Sequence, residues 1–247
     1  MCTIGAVLND KGLSIFKNCD LTKNVTFYKP KKRKGKYKYL GFTRKSRPGI
    51  WAGINEKGLG IVSADTYTKK NYKARPWTIN KIFQGNEKVI SKNKNVKQAI
   101  HFLKSKYKNE IKDVPDLIIL GDKNNIAVFE FTPPDKFGVK IKEKGYVLRT
   151  NQFQILKGGM SRKEDPQSYK RFDRAKELIG KSTNLNSIKS LCKDHKNGPS
   201  KFSICRHGKN NEYKTQASAI MTHNKNTKAY YVKNNYPCKE KYKKVKL

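Results

Sequence analysis

Near its start the chain carries two short apolar runs, Ile4 to Leu8 and Leu13 to Phe16, separated by the turn-forming stretch Asn9-Asp10-Lys11-Gly12. Short apolar runs bounded by such a turn predict a β-hairpin, which folds Lys17 and Asp20 back beside Cys2. A second pair, Gly49 to Asn55 and Gly58 to Tyr67, is joined by Glu56-Lys57-Gly58 and predicts another hairpin. Glu56 then reads as turn chemistry rather than a catalytic acid. After that the period lengthens. Residues 78 to 91 and 95 to 109 have helical spacing, and in the second Val96, Ile100, Leu103 and Tyr107 recur on one face behind Asn95 as an N-cap. His101 falls off that stripe and reads as a surface residue.

From Asp116 the pattern shortens again. Asp116 to Leu120, Ile126 to Phe131, Gly138 to Lys142 and Tyr146 to Thr150 are β-prone runs separated by Gly-, Pro- and Asn-containing turns. They predict an antiparallel meander whose last strand ends at Asn151. Asp165-Pro166 supplies a cap and a first-turn proline for a helix closed at Gly180. Its expected buried stripe is Phe172, Ala175 and Ile179, with Arg171 at the edge. A shorter helix from about Leu185 to Lys193 follows, then strands at Thr215 to Thr222 and Ala229 to Val232, and a Lys-rich tail over 239–247. No repeat and no linker interrupts the order, so residues 2–247 read as one α+β domain.

Charge changes this picture more than composition does. Lys and Arg number 56 against 19 Asp and Glu, a formal net charge of +37. Such a balance suits a polyanionic partner, an anionic surface or an acidic substrate. The basic residues are nevertheless spread through every segment, and no zinc-finger, basic-zipper or RNP pattern accompanies them, so nucleic acid is the lesser alternative as a partner. The densest basic stretch, residues 29–47, holds ten basic and no acidic residues with Tyr37, Tyr39 and Phe42 among them. It reads first as a solvated, mobile loop; a base-stacking surface and a rim that attracts anionic substrates are the alternatives. There is no run of 18 apolar residues and no signal-peptide pattern. Five cysteines without regular spacing suit a reducing compartment, and the expected location is cytoplasmic.

The chemistry begins at Met1-Cys2-Thr3. An initiator Met before a small residue is normally trimmed, which would leave a thiol and a free α-amine on one residue. Their unperturbed pKa values are about 8.5 and about 7.7 to 8.0, so proton transfer between them is nearly isoenergetic. The amine can then activate the sulfur without a distant His.

Cys2-Thr3, Phe16-Lys17-Asn18-Cys19-Asp20, Gly53-Ile54-Asn55-Glu56-Lys57-Gly58-Leu59, Thr150-Asn151-Gln152-Phe153 and Lys170-Arg171-Phe172-Asp173-Arg174 follow one another in this order. The set resembles the N-terminal-nucleophile (Ntn) amidases of the choloylglycine hydrolase and penicillin V acylase kind. Ser203-Ile204-Cys205-Arg206-His207 and Tyr236-Pro237-Cys238 lean towards their relatives, the acyl-CoA:6-aminopenicillanic acid acyltransferases. The resemblance implies a four-layer αββα sandwich with two antiparallel sheets. It also implies Cys2 as nucleophile, Asp20 beside it orienting the amine or thiol, Asn151 as an oxyanion-hole amide and Arg171 organising the charged network. Lys17 stands where the family usually has Arg, keeping the charge but losing the planar fork. Asp65 stands where the bile-salt hydrolases carry Asn and the penicillin acylases Tyr. A carboxylate accepts hydrogen bonds and cannot donate them, so Asp65 is expected to be turned away and ion-paired, with Lys17, Lys69 and Lys70 as partners, rather than protonated.

The implied reaction is cleavage of a small-molecule amide, with an anionic substrate suited to the basic rim and no cofactor or metal. Whether water or a second amine resolves the acyl-enzyme stays open, as does a homo-oligomeric state. One rival constellation, Cys192, His195, Cys205 and His207, offers four soft ligands for zinc. Its spacing is tighter than a finger's, and Cys192 and His195 sit at a helix end. His223 has no sequence partner that would make it a triad base.

Overall fold

The computed structural model describes residues 2–45, 47–70, 72, 75–209 and 211–247; Met1 lies outside them. In chain order the elements are β1 (Cys2–Asn9), β2 (Gly12–Leu21), β3 (Lys31–Lys34), β4 (Lys38–Arg44), β5 (Arg47–Asn55), β6 (Gly60–Asp65), α1 (Pro76–Lys92) and α2 (Val96–Glu110). There follow β7 (Asp116–Gly121), β8 (Ile126–Thr132), β9 (Lys136–Lys142), β10 (Gly145–Arg149), α3 (Pro166–Lys181), α4 (Leu185–Lys193), β11 (Lys214–His223), β12 (Thr227–Lys233) and β13 (Lys243–Lys246). They form two antiparallel sheets, ordered β10-β1-β2-β11-β12-β13 and β3-β4-β5-β6-β7-β8-β9. Helices α1 and α2 pack on the outer face of the second sheet, and α3 and α4 on that of the first. This is the four-layer αββα sandwich.

The layering explains why β1 reads as a continuous apolar run rather than an alternating one: both of its faces are covered. Alternate residues Cys2, Ile4, Ala6 and Leu8 join the large core between the sheets. Val7 of β1 and Phe16 of β2 point the other way, against Ala175, Ile179, Ile188 and Leu191 of the helices. The β1–β2 turn is tight, Asn9 facing Gly12 in register. Gly12 has φ 97°, and a Cβ there would lie 2.4 Å from the carbonyl oxygen of His223, so no other residue fits. This turn fixes the register that sets Cys2 opposite Cys19 and Ile4 opposite Lys17.

Several expectations need correction. Most of the basic segment, residues 29–47, is strand rather than loop: β3 and β4 form the edge of the second sheet, because Tyr39, Leu40 and Phe42 are buried and Glu87 of α1 receives both Arg33, at 2.5 Å, and the Tyr39 hydroxyl, at 2.7 Å. The meander ends at β9. Strand β10 stops at Arg149, short of Asn151, and crosses to the other sheet, where it pairs with β1. The Lys-rich tail forms β13 against β12. On α3 the buried residues are Ser168, Arg171, Ala175 and Ile179, with Phe172 only partly buried; the helix is rotated so that Arg171 enters the protein. Asn95 and Asp165 cap their helices, accepting from Gln98 N and Ser168 N.

Candidate active site

The mouth between the sheets holds a cavity of about 560 Å³, with Cys2, Lys17, Cys19 and Asp65 on its wall. Because directly paired residues in an antiparallel sheet share a face, Cys2, Lys17 and Cys19 all present their side chains to it. Lys17 is buried; its Nζ donates to the Ser63 carbonyl at 2.5 Å and lies 5.6 Å from the centre of the Trp51 ring. Burial pushes the Cys2 thiol up, but a hydrogen bond from the Cys19 thiol and the Lys17 ammonium outweigh it and hold Cys2 well below its ordinary value. Burial likewise presses on Lys17, yet Cys2 and Cys19 keep its pKa above the usual lysine value. Donating to Cys2, together with burial, drives Cys19 well above its own. The two thiols are thereby pulled in opposite directions, Cys2 down and Cys19 up.

Behind the strand pair lies a layer of buried charge. Asp20 is one step beyond Cys19, on the opposite face of β2, at the main-chain nitrogen end of Cys2. Its Oδ1 accepts from Thr215 Oγ1 at 2.7 Å, and its Oδ2 lies 3.8 Å from both Arg171 and Arg206. Burial raises the Asp20 pKa against the pull of Arg206 and Arg171. Arg171 is fully buried. Its guanidinium reaches the Cys2 carbonyl at 3.0 Å, Thr3 Oγ1 at 3.2 Å and Asn151 Oδ1 at 2.8 Å.

Asn151 closes the arrangement. Its Oδ1 accepts from Cys2 N at 3.4 Å while its Nδ2 donates to the Asp65 carbonyl at 2.6 Å. Its own backbone is held by Ser168 Oγ at 2.9 Å, Thr66 Oγ1 at 2.8 Å and Tyr67 N at 3.2 Å. Accepting from both Arg171 and Cys2 fixes which way the amide faces. Asp65, last in β6, is enclosed by protein but open to the cavity's solvent. Desolvation opposes its ionisation; the cations around it, Lys17 and Arg44 among them, prevail and hold its carboxyl below the usual range. Of the partners expected for it, Lys17 is among those cations, while Lys69 and Lys70 line the same cavity as Asp65, which is not turned away from it. Asp116 sits beside Asp65 in register, where burial pushes its carboxyl up to about 7 although the Tyr107 hydroxyl donates to it.

All six residues singled out in the sequence, Cys2, Lys17, Asp20, Asp65, Asn151 and Arg171, thus meet around the end of β1. Sequence reasoning missed Cys19, although its alternation with Lys17 on a strand puts it on the nucleophile's face. It also missed Arg44, at the end of β4, and Arg206, which precedes β11 and is held by Thr215; both come from segments distant in sequence. Of the basic segment, Arg44 alone lines the cavity among the described residues. The four-ligand zinc set does not assemble: Cys192 packs in the helix-side core, bonded with Ser218 and Tyr242, while Cys205 and His207 meet Cys238 instead. Among the described residues, no helix is long and apolar enough to cross a membrane.

A four-layer αββα sandwich of two antiparallel sheets, with Cys2 opening one of the inner strands, is the architecture of the Ntn-hydrolase class. Within it the chain belongs to the acyl-coenzyme A:6-aminopenicillanic acid acyl-transferase family, whose model matches residues 7–237. It is similar in structure to the Caenorhabditis elegans N-acylethanolamine-hydrolyzing acid amidase ortholog, with a TM-score of 0.60 and 15% identity over 89% of this chain and 92% of that one. It is also similar to penicillin V acylase from Agrobacterium tumefaciens, with a TM-score of 0.55 and 13% identity over 94% and 83%. For the C2A conjugated bile acid hydrolase of Clostridium perfringens the values are 0.55 and 16%, over 100% and 97%. At these identities the likeness establishes the fold. No curated protein matches in sequence.

Proposed function

We propose that this chain is an N-terminal-cysteine amidase that cleaves a linear, non-peptide C–N amide through an acyl thioester on Cys2. The observation that carries the reading is the placement of Cys2 with Cys19 and Lys17 on the wall of a cavity large enough for a small molecule. Removal of Met1 frees the Cys2 amine beside Asn151 Oδ1 and the Asp20–Arg171–Arg206 layer.

The Cys2 sulfur attacks the amide carbonyl carbon, forming a C–S bond. The charge that develops on the carbonyl oxygen is met by a donor from Asn151, whose Nδ2 carries a second hydrogen beyond the one given to Asp65. Collapse breaks the C–N bond, and the Cys2 ammonium gives a proton to the leaving amine. Water then adds to the thioester, the amine takes one of its protons, and the C–S bond breaks to release the acid. A second amine in place of water makes the same site an acyltransferase, the reading favoured by the family's description.

Ile79, Ile82, Phe83, Val114 and Pro115 form an apolar wall suited to an acyl group, while Arg44, Lys69 and Lys70 line the same space with cations. This supports an amide that has an apolar acyl group and an anionic substituent. Incubating the Met1-free protein with neutral and anionic N-acyl amides should release amine, faster at low salt for the anionic ones. A form retaining residue 1 through an uncleavable extension should be inactive; equal turnover by that form would refute the mechanism.

A further inference from the structure

Arg206 points into the charged layer beneath Cys2, and its two neighbours point away from it. On that far side Cys205, His207 and Cys238 bring their ligand atoms within 4.8 Å of one another. His207 Nε2 lies 3.6 Å from Cys205 Sγ and 3.2 Å from Cys238 Sγ. Tetrahedral zinc, with bonds of about 2.3 Å to sulfur and about 2.0 to 2.1 Å to nitrogen, requires ligand separations of about 3.6 Å for N···S and about 3.8 Å for S···S. We propose that Cys205, His207 and Cys238 form a binding site for a soft divalent cation of the zinc type, with the fourth position open to water beside the exposed His195.

The site is built rather than incidental. Cys205 is fully buried, with its N–H held by the Asp194 carbonyl at 2.8 Å. His207 is fixed by stacking on Tyr236, ring centres 3.9 Å apart and 11° from parallel, and by its N–H to Ser200 O at 3.3 Å. The 3₁₀ turn Pro237–Lys239 carries Cys238. A bound divalent cation offsets the charge of the two thiolates that ligate it. Binding releases both thiol protons and leaves an electrically balanced cluster. The metal then pins the end of the chain to the segment that aims Arg206 at Asp20, at 3.8 Å, and at Gln167 Oε1, at 2.6 Å.

The test uses the full-length Cys2→Ala protein, so that the catalytic thiol cannot compete, reduced and stripped of metal. Titration with Co²⁺ alone should give one equivalent of binding, with a thiolate-to-cobalt charge-transfer band and the intense visible bands of tetrahedral cobalt. Cys238→Ser and His207→Gln should each weaken binding by more than the roughly 10- to 100-fold typical of losing an outer partner, while Cys192→Ser leaves it unchanged. Zn²⁺ should raise the melting temperature of the parent and not of Cys238→Ser, a comparison that holds even if that variant is itself less stable. Absence of thiolate bands in excess Co²⁺, bands that survive both ligand substitutions, or a Cys205–Cys238 disulfide with no metal uptake would each overturn the proposal.

Discussion

Replacing Cys19 by Ala removes the thiol that donates to Cys2 while leaving Lys17 in place. A hydrogen bond to a charged group contributes about 1.5 to 3 kcal/mol, and one pKa unit corresponds to about 1.4 kcal/mol, so the Cys2 pKa should rise by about one to two units. Below both pKa values the thiolate fraction then falls about 10- to 100-fold. A more basic thiolate is also a better nucleophile, with a Brønsted slope of about 0.4 to 0.5, which returns about 3- to 10-fold. The net expectation is alkylation by iodoacetamide about 3- to 10-fold slower at acidic pH, and faster than the parent by a similar factor once both thiols are ionised. The two pH profiles must therefore cross. Cys19→Ser retains a donor and should restore the parent midpoint. Intact-mass kinetics with peptide mapping read the rate at Cys2 separately from the other cysteines. Profiles that share one midpoint, or a Cys19→Ala midpoint below the parent's, would refute the assignment of Cys19 as donor.

Three further outcomes follow from the same geometry. Arg171→Met strips donors from the Cys2 carbonyl, Thr3 and Asn151 and leaves Asp20 with one fewer cation, so unfolding should show a loss of about 3 to 5 kcal/mol; Arg171→Lys should recover part of the melting temperature without recovering turnover. Asp65→Asn removes an anion that disfavours the Cys2 thiolate; the alkylation midpoint should fall and kcat stay within a few-fold, whereas a hundredfold loss would give the carboxylate a chemical role. Asp116, raised from 3.8 to about 7 by burial, is protonated when folded and ionised when unfolded between those values. The unfolded state then binds fewer protons, and the stability it contributes below pH 4 is lost as pH rises to 7, by roughly 4 kcal/mol at most. Denaturation of Asp116→Asn should lack that decline, and an unchanged slope would remove Asp116 as its cause.

What could be read from the sequence was what local pattern encodes. The β1–β2 hairpin, the Asn95 and Asp165 caps and helix α4 follow from turn residues and periodicity, and the hairpin alone delivers Lys17 and Cys19 to Cys2. What escaped depends on chain segments meeting from afar. Strand β10 looks like the fourth strand of a meander, yet it closes the other sheet against β1, and no local signal distinguishes the two partners. Arg206 reaches Asp20 because its backbone pairs with Thr215, which lies opposite Asp20 where β11 pairs with β2. Residues 29–47 look solvated by charge, but three apolar side chains among the lysines suffice to seat them on a sheet edge. The place of Arg206 in the charged layer with Asp20 and Arg171 was hidden for a related reason: charge marks a residue as exposed unless its counter-charges are already known to be neighbours.

The account turns on acyl transfer to the Cys2 sulfur. Met1-free protein mixed with excess N-acyl amide and quenched in acid within one turnover should show an intact-mass increase equal to the acyl group, mapped to the N-terminal peptide, released by hydroxylamine and absent from Cys2→Ala. An adduct on any other cysteine, or amine release with no acylated intermediate in a Cys2→Ala protein that remains active, would contradict it.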